Sequence, residues 1–450
     1  MQTLLIIVLL GLGLPLVCLQ AWIVCGMGPW RAGAPPARAA RINRTDRTDA
    51  QDTHRRAGTA RAWPSVSVIV PAHNEAARLE ATLSCLAAQR YPGPHEFVVV
   101  DDRSTDGTAA LVSQAAAADP RFRLVQVSEA SRRNAPKVNA VRLGIQASGG
   151  EVIVTTDADC GFGPDWLEAM VESFAPGVVM VCGYVETDLP PGAPLWARLE
   201  AADWFSLMLV SRSMLRSGRA YASSANNQAY LRSAFLAAGG FGATARAPSG
   251  DEDLLAQRLA RLPGARVVFA ADRRLRVRTA SAGSPLAFLR QRRRWVSRYQ
   301  HMVHYSPSFV AGLSVLGLES IVLAGSLVGV SLLGGSTLAG SVLGVPQLAA
   351  PLVTSVAAVA KVALAIYALQ TAVHLTGMSI GMRQLGRADL GGLTALAWAL
   401  VHPLLISAAL IWSWLAPGDW RTGAADYRVS LLRRRWRLLT RELLRALYLR

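Results

Sequence analysis

The sequence predicts an α/β domain built on a mostly parallel sheet, joined to α-helical transmembrane segments. Three observations carry this reading. Short β-branched runs alternate with helical patterns between residues 65 and 156. Apolar residues crowd the first 30 positions and the stretch after residue 308, in a 450-residue chain that is 52% hydrophobic with mean hydropathy +0.28. Arginines gather beside those apolar stretches, at 31–61, 290–298 and 421–450, which is the positive-inside placement of a membrane protein.

Residues 2–28 carry no charge and run into Arg31, Arg38, Arg41 and Arg44. A signal peptide has its basic residues before the apolar core, so residues 1–30 read as an uncleaved membrane helix with its C-terminal end inside. Residues 31–63 lack apolar periodicity and read as a basic linker near anionic headgroups. The runs SVSVIV (65–70), EFVVV (96–100), RLVQV (123–127) and EVIVTT (151–156) are predicted strands, with a helix over 136–148. Together they place a catalytic α/β domain at 64–284. In such sheets ligands bind beyond the carboxyl ends of the strands.

Residues 194–217 and 285–305 mix Trp, Phe and Leu with arginine, the composition of helices that lie in the headgroup plane or pack on the domain surface. Membrane helices are expected over 309–416, at 309–330, 331–353, 362–382 and 391–415, followed by a basic tail at 417–450. With the catalytic domain inside, four such spans keep the arginine-rich tail inside and leave Arg383, Arg387 and Asp389 in an outer loop. The expected location is therefore the inner membrane, multi-pass, with a cytoplasmic catalytic domain.

The formal net charge is +17, and the only lysines are Lys137 and Lys361. No nucleic-acid-binding motif accompanies that charge, which argues against a nucleic-acid partner. Cys18, Cys25, Cys85, Cys160 and Cys182 show no metal-ligand spacing and read as structural filler.

The chemistry sits at the predicted strand ends. The first strand runs into Pro71-Ala72-His73-Asn74-Glu75, and the second into Asp101-Asp102 followed by Arg103-Ser104-Thr105-Asp106-Gly107-Thr108. A strand-end carboxylate there can accept hydrogen bonds from a nucleobase edge or from ribose hydroxyls. A later strand ends in Thr156-Asp157-Ala158-Asp159-Cys160. Carboxylates at i and i+2 point to opposite faces on extended backbone. At the bend after a strand both can reach one divalent ion, Mg²⁺ or Mn²⁺, and the diphosphate it bridges.

These residues resemble the inverting glycosyltransferase family 2, in its membrane-integrated branch. The resemblance rests on VIVPAHNE (68–75), VVVDDRSTDGT (98–108), PKVNAVRLG (136–144), TTDADC (155–160), NNQAYLRSAFLAAGGF (226–241), GDEDLLAQRL (250–259) and QRRRW (291–295), which run in the family's order over about half of the chain. It implies a GT-A fold, a nucleotide-sugar donor and a divalent metal. It implies that Ala72, His73, Glu75 and Asp102 line a nucleoside pocket, that Lys137 lies near the donor, that Asp157 contacts donor ribose or sugar, and that Asp159 holds the metal. Gln291, Arg294 and Trp295 form the Q-x-x-R-W signature over the donor diphosphate, and Asn227 is a candidate acceptor contact.

The family's general base is the aspartate of a Glu-Asp pair opening a helix. Here the segment reads Asp251-Glu252-Asp253, so a literal pair points to Asp253 and the helical register to Glu252, with Asp251 capping the helix or meeting the acceptor. The expected acceptor is a membrane lipid hydroxyl at the cytoplasmic face. A processive polysaccharide synthase shares the same signature, and an inactive scaffold of an envelope pathway is the reading from a different class.

Overall fold

The computed structural model describes residues 63–131, 134–220, 223–246, 251–270, 272–297 and 350–415, with residues 17, 18, 20, 21 and 24. The first four predicted runs become β1 (Val66–Ala72), β2 (His95–Asp101), β3 (Phe122–Gln126) and β4 (Val152–Thr155), each within two residues of its predicted bounds. Between them lie α1 (Ala76–Ala87), α2 (Thr108–Ala118) and α3 (Pro136–Ala147). Pro136 opens α3 at its first turn, where its missing N–H has no helical partner to lose.

The main sheet continues through β6 (Val178–Cys182), β8 (Gln228–Leu231) and β9 (Arg266–Phe269), in the order β3-β2-β1-β4-β8-β6-β9. The pairs β3-β2, β2-β1 and β1-β4 are parallel, while β8 runs antiparallel to both neighbours. Parallel pairing carries the ends of β1, β2 and β4 to one edge of the sheet, which brings the three predicted polar motifs together. Val68, Val70, Val98, Val100, Ile153 and Val154 are fully buried, as expected of strands covered on both faces. Helix α3 lies close on the sheet because Gly144 carries no side chain; a Cβ there would fall 2.5 Å from Ile69 Cγ2.

A second sheet of three short strands, β5 (Cys160–Phe162), β10 (Val277–Thr279) and β7 (Val185–Thr187), sits beside the first in that order. The remaining helices are α4 (Trp166–Glu172), α5 (Leu195–Arg216), α6 (Arg232–Ala237), α7 (Asp251–Leu259), α8 (Pro285–Ser297), α9 (Ala350–Leu385) and α10 (Gly391–Leu415).

Helix α5 covers the segment 194–217, and it is packed rather than laid on a surface. Ala201, Ala202 and Phe205 are fully buried on it, and Met208 and Leu209 nearly so. Helix α9 crosses it at Gly381, where a Cβ would meet Leu209 at 2.6 Å.

Among the described residues, one stretch, Ala358–Leu385, is long and apolar enough to cross a membrane. The expected span 362–382 lies inside it and 391–415 coincides with α10. The expected spans 2–28, apart from those five positions, and 309–330 fall outside the described residues, as do 331–353 up to the start of α9, most of the linker and the tail.

The outer-loop placement of Arg383, Arg387 and Asp389 is corrected. The turn between α9 and α10 docks on the catalytic domain: Arg387 Nη1 lies 3.3 Å from Glu186 Oε2 on β7, and Arg276 Nη2 donates to Leu385 O at 2.7 Å. Arg387 and Glu186 are both nearly buried. Loop-charge counting treats arginine as solvated, whereas this one is neutralised by Glu186 and by Asp389 at 2.8 Å.

Candidate active site

Two loops close the ends of β1 and β2. Asn74 Oδ1 accepts from Thr105 N at 2.8 Å, and Asn74 N donates to Ser104 Oγ at 2.9 Å. Glu75 N donates to Thr108 Oγ1 at 3.0 Å, and Ala76 N to Asp106 Oδ2 at 3.1 Å. The hydrogen bond from Thr108 holds the Asp106 carboxyl below the usual carboxylate range. Asn74 and Arg103 both adopt positive φ, 55° and 60°. That conformation is uncommon outside glycine, and such strain gathers at functional sites.

His73, Glu75 and Asp102 flank this junction. His73 Nδ1 donates to Asp102 O at 2.6 Å, which joins the two strand ends directly. The Asp102 carboxylate is buried and receives Arg103 Nε at 2.9 Å. Ala72 is buried at the end of β1.

At the end of β4, Lys137 Nζ lies 2.7 Å from Asp157 Oδ1. Asp159 is bordered by Thr279 Oγ1, which donates to Oδ2 at 3.5 Å, and by Arg78 Nη1 at 3.8 Å. Burial, and then the negative charge of Asp157, push the Asp159 carboxyl up from its usual value. A dication beside this pair would relieve both effects, and its oxygen ligands suit Mg²⁺ or Mn²⁺. Among the described residues no group of three or more His, Cys, Asp or Glu could hold a metal unaided. The arrangement suits an ion shared with a substrate diphosphate. A small cavity opens beside the pair, lined by Pro71, Lys137, Thr156, Asp157, Ala225 and Gln228 among others.

On α7, Asp253 is fully buried and accepts from Ser223 N at 2.5 Å. The side chains of Asp251 and Glu252 lie outside the described residues. Both occupy the first turn of α7, where acids favour the helix dipole.

Asn227 is placed away from any surface that could meet an acceptor. It is fully buried; its Nδ2 donates to Tyr184 O at 2.9 Å and Leu275 O at 2.6 Å, and its Oδ1 accepts from Trp166 Nε1 at 3.0 Å. It braces the strand β8 against α4 and the segment before β10. A polar residue immediately before a strand reads the same in sequence whether it faces solvent or core.

Gln291, Arg294 and Trp295 lie on α8, partly buried. Trp295 packs edge-on to Trp204 of α5 at 4.7 Å, and Gln291 Oε1 accepts from Arg292 Nη1 at 3.1 Å. Arg78 and Thr279 beside Asp159, and Asp203 beneath Arg292, were not singled out by sequence. Only Asp203 carries a signal there, as an acid inside the apolar run 199–210.

The glycosyl transferase family 2 model matches residues 67–235, the span that builds β1 to β8 and all three strand-end motifs. That span of the chain is similar to glycosyl transferase family 2. The glycosyltransferase AglE of Haloferax volcanii is 32% identical over 153 residues, 34% of this chain and 48% of that one. An undecaprenyl-phosphate 4-deoxy-4-formamido-L-arabinose transferase of Pectobacterium carotovorum is 36% identical over 119 residues, 26% of this chain and 36% of that one. The chain thus spans half or less of the length of these curated relatives. A solved mannosyltransferase of Pyrobaculum calidifontis, in complex with GDP-Man and Mn²⁺, superposes with TM-score 0.51 at 21% identity, over 81% of this chain and 98% of that one. That likeness establishes a shared GT-A-like fold.

Proposed function

We propose that the protein is a membrane-bound inverting glycosyltransferase that moves a sugar from a nucleotide-sugar donor to a lipid-linked acceptor at the cytoplasmic face. The observation that carries this is the convergence of Asp102, Lys137, Asp157 and Asp159 at one edge of a parallel sheet within a family 2 domain. A lipid acceptor is supported by the relative named for undecaprenyl phosphate and by the packing of α8 and α10 beside the domain.

In this reading His73, Glu75 and Asp102 hold the nucleoside, and Lys137 and Asp157 the ribose and diphosphate side of the donor. Asp159 would hold Mg²⁺ or Mn²⁺, which supplies positive charge to the departing diphosphate. Arg294 adds a second positive charge there, where negative charge grows in the transition state. Asp251 or Glu252 removes the proton from an acceptor hydroxyl, which attacks the anomeric carbon opposite the leaving group and inverts its configuration. Burial and the bond to Ser223 make Asp253 the less suited of the three acids.

The test is incubation of the detergent-solubilised protein with a panel of nucleotide sugars, Mn²⁺ or Mg²⁺ and a total lipid extract, with products resolved by mass spectrometry. A single-sugar glycolipid, lost in Asp159→Ala, is the expected result. A long polymer with no glycolipid would replace the lipid acceptor by a growing glycan. Undiminished transfer by Asp159→Ala would remove the metal assignment.

A further inference from the structure

Two opposite charges are buried between α5 and α8, away from the strand-end acids. Asp203 of α5 and Arg292 of α8 are 1% and 2% exposed, and Arg292 Nε donates to Asp203 Oδ2. The other carboxylate oxygen, Oδ1, accepts from two groups on α10, Trp398 Nε1 at 3.3 Å and His402 Nδ1 at 3.2 Å. Burial alone would raise the Asp203 carboxyl, but the Arg292 charge and the His402 and Trp398 hydrogen bonds hold it well below the usual range. Donors face both of its oxygens, so the carboxylate acts as an acceptor on either side.

Arg292 is not part of the Q-x-x-R-W signature, yet it touches two of its members. Its Nη1 donates to Gln291 Oε1 at 3.1 Å, and its guanidinium lies 4.1 Å from the Trp295 ring centroid. Phe288, at 4.7 Å, closes another side. A planar cation held by a carboxylate from one side and by aromatic rings from others has one available orientation. Gln291 and Trp295 inherit it.

Stability alone does not account for such a pair. Taking two charges out of water is costly, and apolar residues of similar volume often serve as well or better. What an apolar filling cannot supply is a fixed direction. We infer that Asp203 is the positioning residue of the Q-x-x-R-W segment, orienting Gln291 and Trp295 through Arg292, and that α10 shares the grip through Trp398 and His402. The C-terminal helix is thereby coupled to the segment proposed to close over the donor. The inference rests on the glycosyltransferase reading for its consequence in turnover, and on geometry alone for its consequence in α8.

The experiment compares the full-length protein with Asp203→Leu/Arg292→Met, which removes both charges together and keeps the volume. Three quantities are read: thermal unfolding, sugar transfer, and hydrogen exchange resolved by peptide. The expected result is cooperative unfolding at a midpoint lowered by the Trp398 and His402 donors that lose Asp203, transfer reduced by up to ~10²-fold as for a slight misplacement of a reacting group, and faster exchange at 285–295 with 76–87 unchanged. Wild-type transfer by a well-folded double variant would reduce the pair to a packing element and overturn the inference. So would exchange that is unaltered at 285–295 or accelerated throughout the chain. Should the double variant not fold, Asp203→Asn, which keeps the shape of the side chain, is read by the same criteria. If the wild-type protein transfers no sugar from any donor, the enzymatic reading fails, while the exchange pattern still decides the positioning role.

Discussion

Lys137 reaches from the first turn of α3 to the end of β4 and sets its Nζ 2.7 Å from Asp157 Oδ1. The side chains are 25% and 31% exposed, so solvent screens the pair and its share of stability is about 1 kcal/mol or less. In the proposed function its weight falls on the donor. Lys137→Gln is expected to lower kcat/KM for the nucleotide sugar by ~10²-fold, the scale of losing one preorganised donor to a developing charge. Its thermal midpoint should stay near that of the wild type. Steady-state kinetics beside differential scanning fluorimetry checks both halves, and an unchanged kcat/KM would remove Lys137 from the donor site.

In the proposed function the acids of α7 separate by role. Asp253→Asn disturbs a fully buried carboxylate that holds Ser223 N, so its main effect should be destabilisation by about 1–3 kcal/mol. Removing the general base should instead cost ~10²–10⁴-fold in kcat with donor affinity intact. Asp251→Asn and Glu252→Gln, assayed for transfer and for nucleotide binding by calorimetry, should show one variant with that signature. Retained transfer in both would return the role to Asp253.

Asn227→Ala would strip partners from Trp166 Nε1, Tyr184 O and Leu275 O, all inside the core. Losses of about 1–3 kcal/mol accompany each buried polar group left unsatisfied, so the unfolding midpoint should fall by several degrees. The KM for acceptor should not move. A selective rise in acceptor KM at unchanged stability would restore Asn227 to the acceptor site.

Burial raises the thiols of Cys160 and Cys182 well above the usual cysteine value. Raised pKa means a vanishing thiolate fraction at pH 8, and the thiolate is the reactive form. Mass spectrometry after alkylation of the folded protein should find Cys85 modified and these two intact. Early modification of Cys160, next to Asp159, would contradict its burial.

The turn that carries Arg387 lies against β7, so in the proposed membrane-bound reading it shares a side of the membrane with the strand-end acids. Ala388→Cys and Ser113→Cys, both at exposed positions, should react with an impermeant maleimide from the same face of sealed vesicles. Labelling from opposite faces would detach the turn from the domain.

Much of the sheet was legible because its central strands are short, β-branched and buried on both faces, a pattern that needs no knowledge of neighbours. The strand-end acids were legible for the same reason, since parallel order alone brings Ala72, Asp101 and Asp157 to one edge. Asn227 and Arg387 were misread because their meaning lies in partners 43 and 201 residues away. Asp203 and Arg292 are 89 residues apart. Each sits in a segment that, taken singly, has the composition of a surface or interfacial helix. Charge in a sequence is read as solvated unless a partner is seen, and pairing across such distances is a property of the folded chain.

Glu186 collects Arg387 at 3.3 Å, Arg278 at 3.3 Å and Arg276 at 3.5 Å, while Asp203 leans on two side chains of α10. A protein cut after Ser297 would keep every described strand and every strand-end acid. It would also leave one buried carboxylate short of its most enclosed arginine and another short of two of its donors. The strand-end acids and the C-terminal helices therefore cannot be expressed as exchangeable modules: grafting foreign helices in place of α9 and α10 would alter the interior of the α/β domain.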